Sequence, residues 1–322
     1  SAASDVYKRQ YDKPSKNPIF VLLRFFYRGR RIRLNTALFL LQTCIAEPPG
    51  RKGQRLFGVH TGQPHGIGRC KQQRPGPLGG IFRHRFLPAA LGSLQGSGGI
   101  LCCAVASGPA FEGAGISCGM PGITGAVRHA VYDRGFMLDV IGGGEAAGLC
   151  GSGLVDLAAV LLEHGVIAPG GRLLPPEEAP EHMRRYLTRD ENGNGLFHLT
   201  QQVSLTAADV RNLQLAKAAV AGGIRVLLEQ RHITAYELES VEIAGGFGNY
   251  LKPESAVRIG MLPKGTLGKL RVMGNTALAG ASMLALDGAN WERLRSIPAK
   301  CRDIELSGRD DFADAFTDNL TF

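Results

Sequence analysis

The chain has 322 residues, of which 44% are apolar and 20% are charged, with 44 glycines and 17 prolines. This length is typical of one large domain or two ordinary ones and is enough to bury a core without disulfide bonds. The composition excludes a mini-protein and a wholly disordered chain, and no Gly-X-Y period argues for a collagen-like fibre.

The net charge of +9 is divided unevenly along the chain. Residues 1–99 carry 17 Lys and Arg against three acidic residues, whereas residues 100–322 carry 20 basic and 25 acidic residues. Such asymmetry is typical of a basic arm, a targeting segment or two unrelated pieces of sequence. We therefore predict a basic, acid-poor segment over residues 1–100, disordered or mistranslated, and a globular region over residues 101–322.

The basic segment has four interpretations. It is rich in Arg, Pro, Gly and Gln and shows neither a sustained helical period nor strand alternation. We favour a segment translated out of its proper frame, because acid depletion with excess Arg, Pro and Gly is typical of such sequence. A divergent domain, an organellar transit segment and a nucleic-acid-binding arm are the alternatives, and we expect no nucleic-acid partner. Resequencing the DNA for residues 11–105 tests the out-of-frame interpretation, because confirmation of the present reading frame would overturn it.

The cysteines and the hydropathy pattern favour a cytoplasmic protein. Seven cysteines occur without a CxxC pair, so neither a zinc site nor the spacing of a plant-type ferredoxin is predicted. We interpret them as buried thiols in a reducing compartment. No uninterrupted apolar run approaches the roughly 20 residues of a membrane-spanning helix, and the first residues do not have the order of a secretory signal. We expect no membrane partner and no metal ligand.

From Leu101 onward, short apolar runs alternate with glycine-rich turns. We predict a strand over 100–105, and a β-hairpin from the runs 126–132 and 136–140. A helix starts at the glycine turn 151–153 and ends at Gly165. The backbone N–H groups of a glycine turn that opens a helix can bind an anion, although close packing explains these glycines equally well.

The clearest helix covers residues 207–231. Thr206 and Asp209 form a partial capping box at its start. Gly222-Gly223 inside the helix cost about 1 kcal/mol each relative to alanine, so we predict close packing there. Lys217 lies between apolar neighbours, which places its ammonium either over a cleft or, by snorkelling, at the surface.

Two strand–turn–helix units follow about thirty residues apart. A buried strand over 240–244 runs into GGFGNYL, and a second strand over 270–273 precedes GNTALAGA. Glycine turns at the carboxyl ends of strands let the backbone approach a nucleotide, although neither turn is a GxGxxG fingerprint or a Walker loop. The pattern predicts an α/β layer that shares one cleft.

Five segments in order resemble one family: SGPAFEGAGIS, GLCGSGLVDLAAVLL, LTAADVRNLQLAKAAVAGGI, AGGFGNYL and MGNTALAGA. Over residues 101–320 the chain resembles the carboxy-terminal lobe of the corrinoid-protein reductive activators, members of the ASKHA superfamily that includes acetate and sugar kinases, heat-shock 70 proteins and actin. The resemblance implies an α/β fold, ribonuclease-H-like and actin-like. It also implies ATP-driven reduction of an inactive cob(II)alamin centre on a partner protein.

The resemblance also implies cofactors and partners. ATP and Mg²⁺ would bind in a cleft between two lobes, and the electron would come from a 2Fe–2S ferredoxin module, which we do not find in this sequence. The partner would be a corrinoid protein or a corrinoid-dependent methyltransferase component, and a homodimer is left open.

Carried over residue by residue, the resemblance implies a nucleotide site made of an adenosine motif, a phosphate-facing loop, a connecting turn and a flanking helix. In that order, the site residues are Gly245, Gly246, Phe247, Gly248 and Asn249; Gly108, Pro109 and Glu112; Gly151, Ser152 and Gly153; and Gln214 and Lys217.

The departures from the family pattern lower the expected activity. Neither of the family's two Asp-x-Gly-Thr phosphate hairpins is found in this sequence, and three lost charge-assisted hydrogen bonds at about 1.5–3 kcal/mol each would weaken ATP binding over a thousandfold. We expect a fragment that binds ATP weakly, hydrolyses it negligibly and has no assignable catalytic residue. A non-enzymatic interaction module and a small-molecule kinase of the same superfamily are the alternatives.

Overall fold

The computed structural model describes residues 21–27, 90–96 and 99–322. The strands are β1 Val21–Tyr27, β2 Ala90–Gly96, β3 Gly99–Val105, β4 Ala126–Tyr132, β5 Phe136–Val140, β6 Gly148–Leu149, β7 Leu187–Arg189, β8 Gly195–His198, β9 Ser204–Thr206, β10 Leu238–Ala244, β11 Leu270–Val272 and β12 Cys301–Asp303. The helices are α1 Gly151–Glu163, α2 Glu181–Arg184, α3 Ala207–Gln230, α4 Pro253–Arg258, α5 Thr276–Leu286, α6 Asn290–Ser296 and α7 Asp310–Asp318. Short 3-10 helices lie at Ala110–Glu112, Ala235–Glu237, Lys264–Thr266 and Pro298–Lys300.

A six-stranded sheet organises the domain, in the order β11-β10-β1-β2-β3-β12. β2 and β3 pair antiparallel, whereas β10 and β11 pair parallel. β1 lies between them, antiparallel to β10 and parallel to β2. Two strands of this sheet therefore come from the first 100 residues. The rest of the first 89 residues, including most of the predicted basic segment, lies outside the described part of the chain.

Helix α3 covers this sheet and starts at the predicted capping box. The Asp209 backbone N–H donates to Thr206 Oγ1 (3.1 Å), and the Thr206 N–H donates to Asp209 Oδ2 (2.9 Å). Close packing at the glycine pair is confirmed, because a Cβ at Gly223 would lie 2.5 Å from Val105 Cγ1, and one at Gly222 would lie 3.2 Å from the Phe312 ring. The glycines let α3 approach both the sheet and α7.

The buried Asp209 carboxylate also holds a distant loop, and this gives a stability prediction. Its Oδ1 accepts from the Ser117 backbone N–H (2.7 Å) and from the Ser117 hydroxyl (3.1 Å). Asp209→Ala removes the acceptor of two backbone N–H groups, so we expect the free energy of unfolding to fall by about 2 kcal/mol in urea denaturation. Asp310→Ala, in the first turn of α7 and exposed, should lose only about 0.5 kcal/mol. Equal losses would contradict the prediction.

Residues 106–206 build two further three-stranded sheets, β5-β4-β6 and β7-β8-β9. The hairpin predicted over 126–132 and 136–140 is confirmed as β4 and β5, and α1 packs across β4. His182 Nε2 lies 3.2 Å from His164 Nδ1, and His129 Nδ1 lies 2.8 Å from Asp156 Oδ2.

In the described part of the chain, no helix is both long and apolar enough to cross a membrane.

Candidate functional site

Two glycine turns meet at the carboxyl ends of the parallel strands β10 and β11. Ile243 pairs with Val272 in the register of the two strands. The Met273 N–H then donates to the Ile243 carbonyl (2.8 Å), and the Gly245 N–H donates to the Gly274 carbonyl (3.0 Å). The two strand–turn–helix units predicted from the sequence therefore share one edge of the sheet, where α/β proteins commonly bind ligands.

The three glycines of the first turn have different roles. Gly245 has φ +100°, a conformation that favours glycine. A Cβ at Gly248 would lie 2.5 Å from Ile243 Cγ2, so this glycine allows close packing. Gly246 is exposed and has no atom within 4 Å of its Cβ position. Gly246 is therefore the glycine of this turn whose backbone is open to a ligand.

The second turn adds residues that the sequence-based site did not include. Asn249 is exposed, and its Oδ1 lies 3.7 Å from a Cβ built at Gly274, which has φ +70°. Asn275 caps α5 by accepting from the Leu278 N–H at 3.0 Å. The second strand–turn–helix pattern in the sequence contains Gly274 and Asn275. The sequence does not show that they lie beside Asn249, because that depends on the register of β10 and β11.

The structure brings the predicted phosphate-facing loop and connecting turn to the adenosine motif. The Phe111 and Phe247 rings lie 4.9 Å apart. A Cβ at Gly151 would overlap the Phe111 carbonyl oxygen and lie 2.8 Å from the Phe247 ring. Three motifs separated by up to 140 residues thus meet at Phe247, which is buried and packs inward.

The other predicted residues of these two motifs shape the backbone. Gly108 has φ +69°, and Pro109 precedes the 3-10 helix that ends at the half-buried Glu112. The Ser152 hydroxyl donates to the Arg128 carbonyl (3.0 Å), while Gly153 lies directly against β4. These contacts account for the residue types through packing, and any contact of these residues with a nucleotide stays a prediction.

Gln214 and Lys217 lie on α3 against the end of the chain. Gln214 Nε2 donates to the Leu320 carbonyl (2.8 Å), and Lys217 Nζ donates to the Thr321 carbonyl and lies 5.2 Å from the centre of the Phe322 ring. Lys217 is 1% exposed, so it does not snorkel to the surface. Burial lowers the pKa of Lys217 to about 8. Their proposed place beside the adenosine stays a prediction.

A cluster of polar and charged residues around the buried Asp156, which the sequence did not reveal, lies beside the first turn. Asp156 on α1 is 1% exposed, and its Oδ2 lies 2.8 Å from His129 Nδ1 and 3.1 Å from Lys252 Nζ. The Arg128 guanidinium lies 5.3 Å from the Tyr250 ring centre and is paired with Asp139 at 2.8 Å. These residues are distant in sequence and carry no spacing motif, so only their placement in space reveals the cluster.

The described residues do not fit an iron–sulfur cluster. Within this part of the chain, no group of three or more His, Cys, Asp or Glu side chains is arranged to hold a metal ion. Burial raises the pKa of the Cys102 and Cys103 thiols well above the usual range, whereas cluster ligands are thiolates. We therefore assign no described residue to a cluster.

Comparison with known proteins decides the family. Residues 93–322 match the family described as the C-terminal domain of RACo, the ASKHA domain. The chain belongs to this family. The predicted fold class, an α/β lobe of the ASKHA type, is confirmed. The match begins at residue 93, a few residues before the predicted domain boundary at residue 100. That boundary stays a prediction.

Relatives in this family carry names that refer to corrinoid proteins. The corrinoid activation enzyme RamQ of Eubacterium limosum is 36% identical over 227 residues, which are 67% of this chain and 38% of that protein. The Co(II) methylated amine-specific corrinoid protein reductase of Methanosarcina barkeri is 28% identical over 224 residues, 62% of this chain and 38% of that protein.

A solved structure has the same fold. The reductive activator for corrinoid, iron–sulfur protein superposes with a TM-score of 0.64 at 31% identity, over 71% of this chain and 37% of that one. The chain thus spans less than two fifths of the length of each of these three proteins.

Proposed function

We propose that this chain is the C-terminal nucleotide-binding lobe of an ATP-dependent reductive activator of corrinoid proteins. One observation carries the nucleotide site: the two glycine turns meet at the carboxyl ends of β10 and β11, with the Gly246 backbone uncovered. The names of the relatives support a partner of the corrinoid class, either a corrinoid protein or a corrinoid-dependent methyltransferase component.

In this proposal the first turn binds the adenosine of ATP. The Gly246 backbone approaches the base and ribose without a side chain in the way, and the exposed Asn249 amide offers both a donor and an acceptor. Phe247 does not face the ligand but fixes the turn on Phe111 and Gly151. Hydrolysis of ATP to ADP and phosphate would favour one conformation of the complex with the partner.

The one-electron reduction of Co(II) to Co(I) is the work that ATP supports in this proposal. The Mg²⁺ that accompanies ATP and the 2Fe–2S cluster expected to deliver the electron are assigned to no residue here. The contribution of this chain's own residues is to bind the nucleotide and to hold the turn in place.

Substitution of Gly246 tests the adenosine site. We expect Gly246→Arg to weaken binding of Mg-ATP at least tenfold in isothermal titration, because the long side chain fills the space that the base and ribose need. Gly288→Arg is the matched control, since Gly288 is also exposed, lacks a left-handed φ and has no atom within 4 Å of its Cβ position. Both variants should melt at the wild-type temperature.

Two outcomes would overturn the proposal. A true site adds about 2.7 kcal/mol of stability at a ligand concentration one hundred times the dissociation constant. If millimolar Mg-ATP gives the wild-type chain neither binding heat nor a melting shift, the better explanation is a non-enzymatic interaction module or a fragment that cannot bind ATP without the two phosphate hairpins. If Gly246→Arg binds as tightly as Gly288→Arg, the nucleotide site lies elsewhere.

A further inference from the structure

The Asp156 carboxylate is buried with one of its oxygens unpaired. Both of its close neighbours, the His129 ring and the Lys252 ammonium, approach Oδ2, whereas Oδ1 is buried and has no hydrogen-bond partner among the described residues. A buried carboxylate is costly unless its charge is compensated. The stability of the buried Asp156 carboxylate therefore depends on these two neighbours. Of the two, Lys252 is the more exposed, with 37% of its side chain accessible to solvent.

Lys252 joins the glycine turn to a different layer of the domain. It lies three residues after Asn249 and immediately before α4, whereas Asp156 lies on α1 and His129 on β4. The neighbouring Tyr250 ring lies under the Arg128 guanidinium, also from β4. The segment that leaves the turn is thus held to α1 and β4 at two positions, 250 and 252.

A second ion pair lies farther along the same interface. Arg258, at the end of α4, pairs with Glu163 at the end of α1. This pair is exposed at both partners, so its contribution is small. The Lys252–Asp156 pair is the one of the two with a buried partner.

We propose that the Asp156–Lys252 ion pair positions the glycine turn over residues 245–249 for its ligand. Phe247 fixes the middle of the turn on Phe111. Gly246 contributes no side chain and Asn249 is exposed, so the two ends of the turn need contacts of their own. Gly245 is hydrogen-bonded to Gly274 at one end, and Lys252 fixes the other. A turn held in its binding conformation loses less entropy when the ligand binds. The effect on ATP rests on the proposed function, whereas the effect on the turn itself does not.

Hydrogen exchange of the full chain tests the positioning role directly. We expect Lys252→Met to speed amide exchange at least tenfold within residues 245–252, while the amides of α3 exchange as in the wild type. Lys252→Arg keeps the ion pair and should restore wild-type exchange. Lys264→Met removes an exposed lysine elsewhere and should leave residues 245–252 unchanged. Unaltered exchange there, or a uniform rise across the whole domain, would overturn the proposal.

Titration with Mg-ATP then separates the two proposals. If the adenosine site is correct, Lys252→Met should raise the dissociation constant about fivefold, and Lys252→Arg should return it to the wild-type value. A wild-type chain that binds no nucleotide would contradict the proposed function, but the exchange experiment would still decide whether the ion pair fixes the turn. If Lys252→Met binds Mg-ATP as tightly as the wild type, the ion pair does not position the turn for its ligand.

Discussion

Replacing Gly153 by alanine is expected to lower the free energy of unfolding by about 3 kcal/mol. A Cβ at this position would overlap the Val127 carbonyl oxygen and lie 2.9 Å from its carbonyl carbon. Both are main-chain atoms of β4, which is paired with β5 on one side and β6 on the other, so they cannot move aside. The intrinsic preference of helices for alanine, about 1 kcal/mol, acts in the opposite direction and is outweighed.

Urea denaturation of Gly153→Ala and of Gly170→Ala checks this expectation. Gly170 is exposed, has no left-handed φ and has no atom within 4 Å of its Cβ position, so its substitution should change stability by less than about 0.5 kcal/mol. If Gly153→Ala is as stable as the control, α1 does not lie against β4 as closely as described.

Stability should rise with pH between about 8 and 10.5 because of Lys217. Burial lowers the pKa of this lysine from 10.5 to about 8, so across this range the unfolded chain binds more protons than the folded one. The cost of burying the ammonium is fully present below pH 8 and disappears as pH rises through the folded-state pKa towards the unfolded-state value. We expect a gain of about 2 kcal/mol between pH 7 and pH 10, which is below the full value of the shift because this range crosses only part of the interval between the two pKa values.

Comparison with Lys217→Met isolates this contribution. The free energy of unfolding of the wild type, relative to Lys217→Met, should increase by about 2 kcal/mol from pH 7 to pH 10. Lys264→Met removes an exposed lysine and should show no such trend relative to the wild type. A pH-independent difference between the wild type and Lys217→Met would mean that the Lys217 ammonium is not buried.

Local sequence was enough to predict many of the elements after residue 99. The β4–β5 hairpin agrees with its prediction residue by residue, and the capping box at Thr206 and Asp209 starts α3 as expected. Alternation, capping and turn chemistry depend on neighbours within about four residues, so they can be read directly from the sequence. The ordered motifs also led to the correct family.

The makeup of the candidate site depended on contacts between residues far apart in the chain. Gly245, Gly246 and Gly248 are alike in sequence, yet the structure gives them a turn conformation, an open surface and a packing contact respectively. Lys217 lies beside Phe322, and Asp156 lies beside Lys252, partners that are about 100 residues away in each case. Such pairings follow from how the sheet and the helices pack together, and no local pattern of residues encodes them.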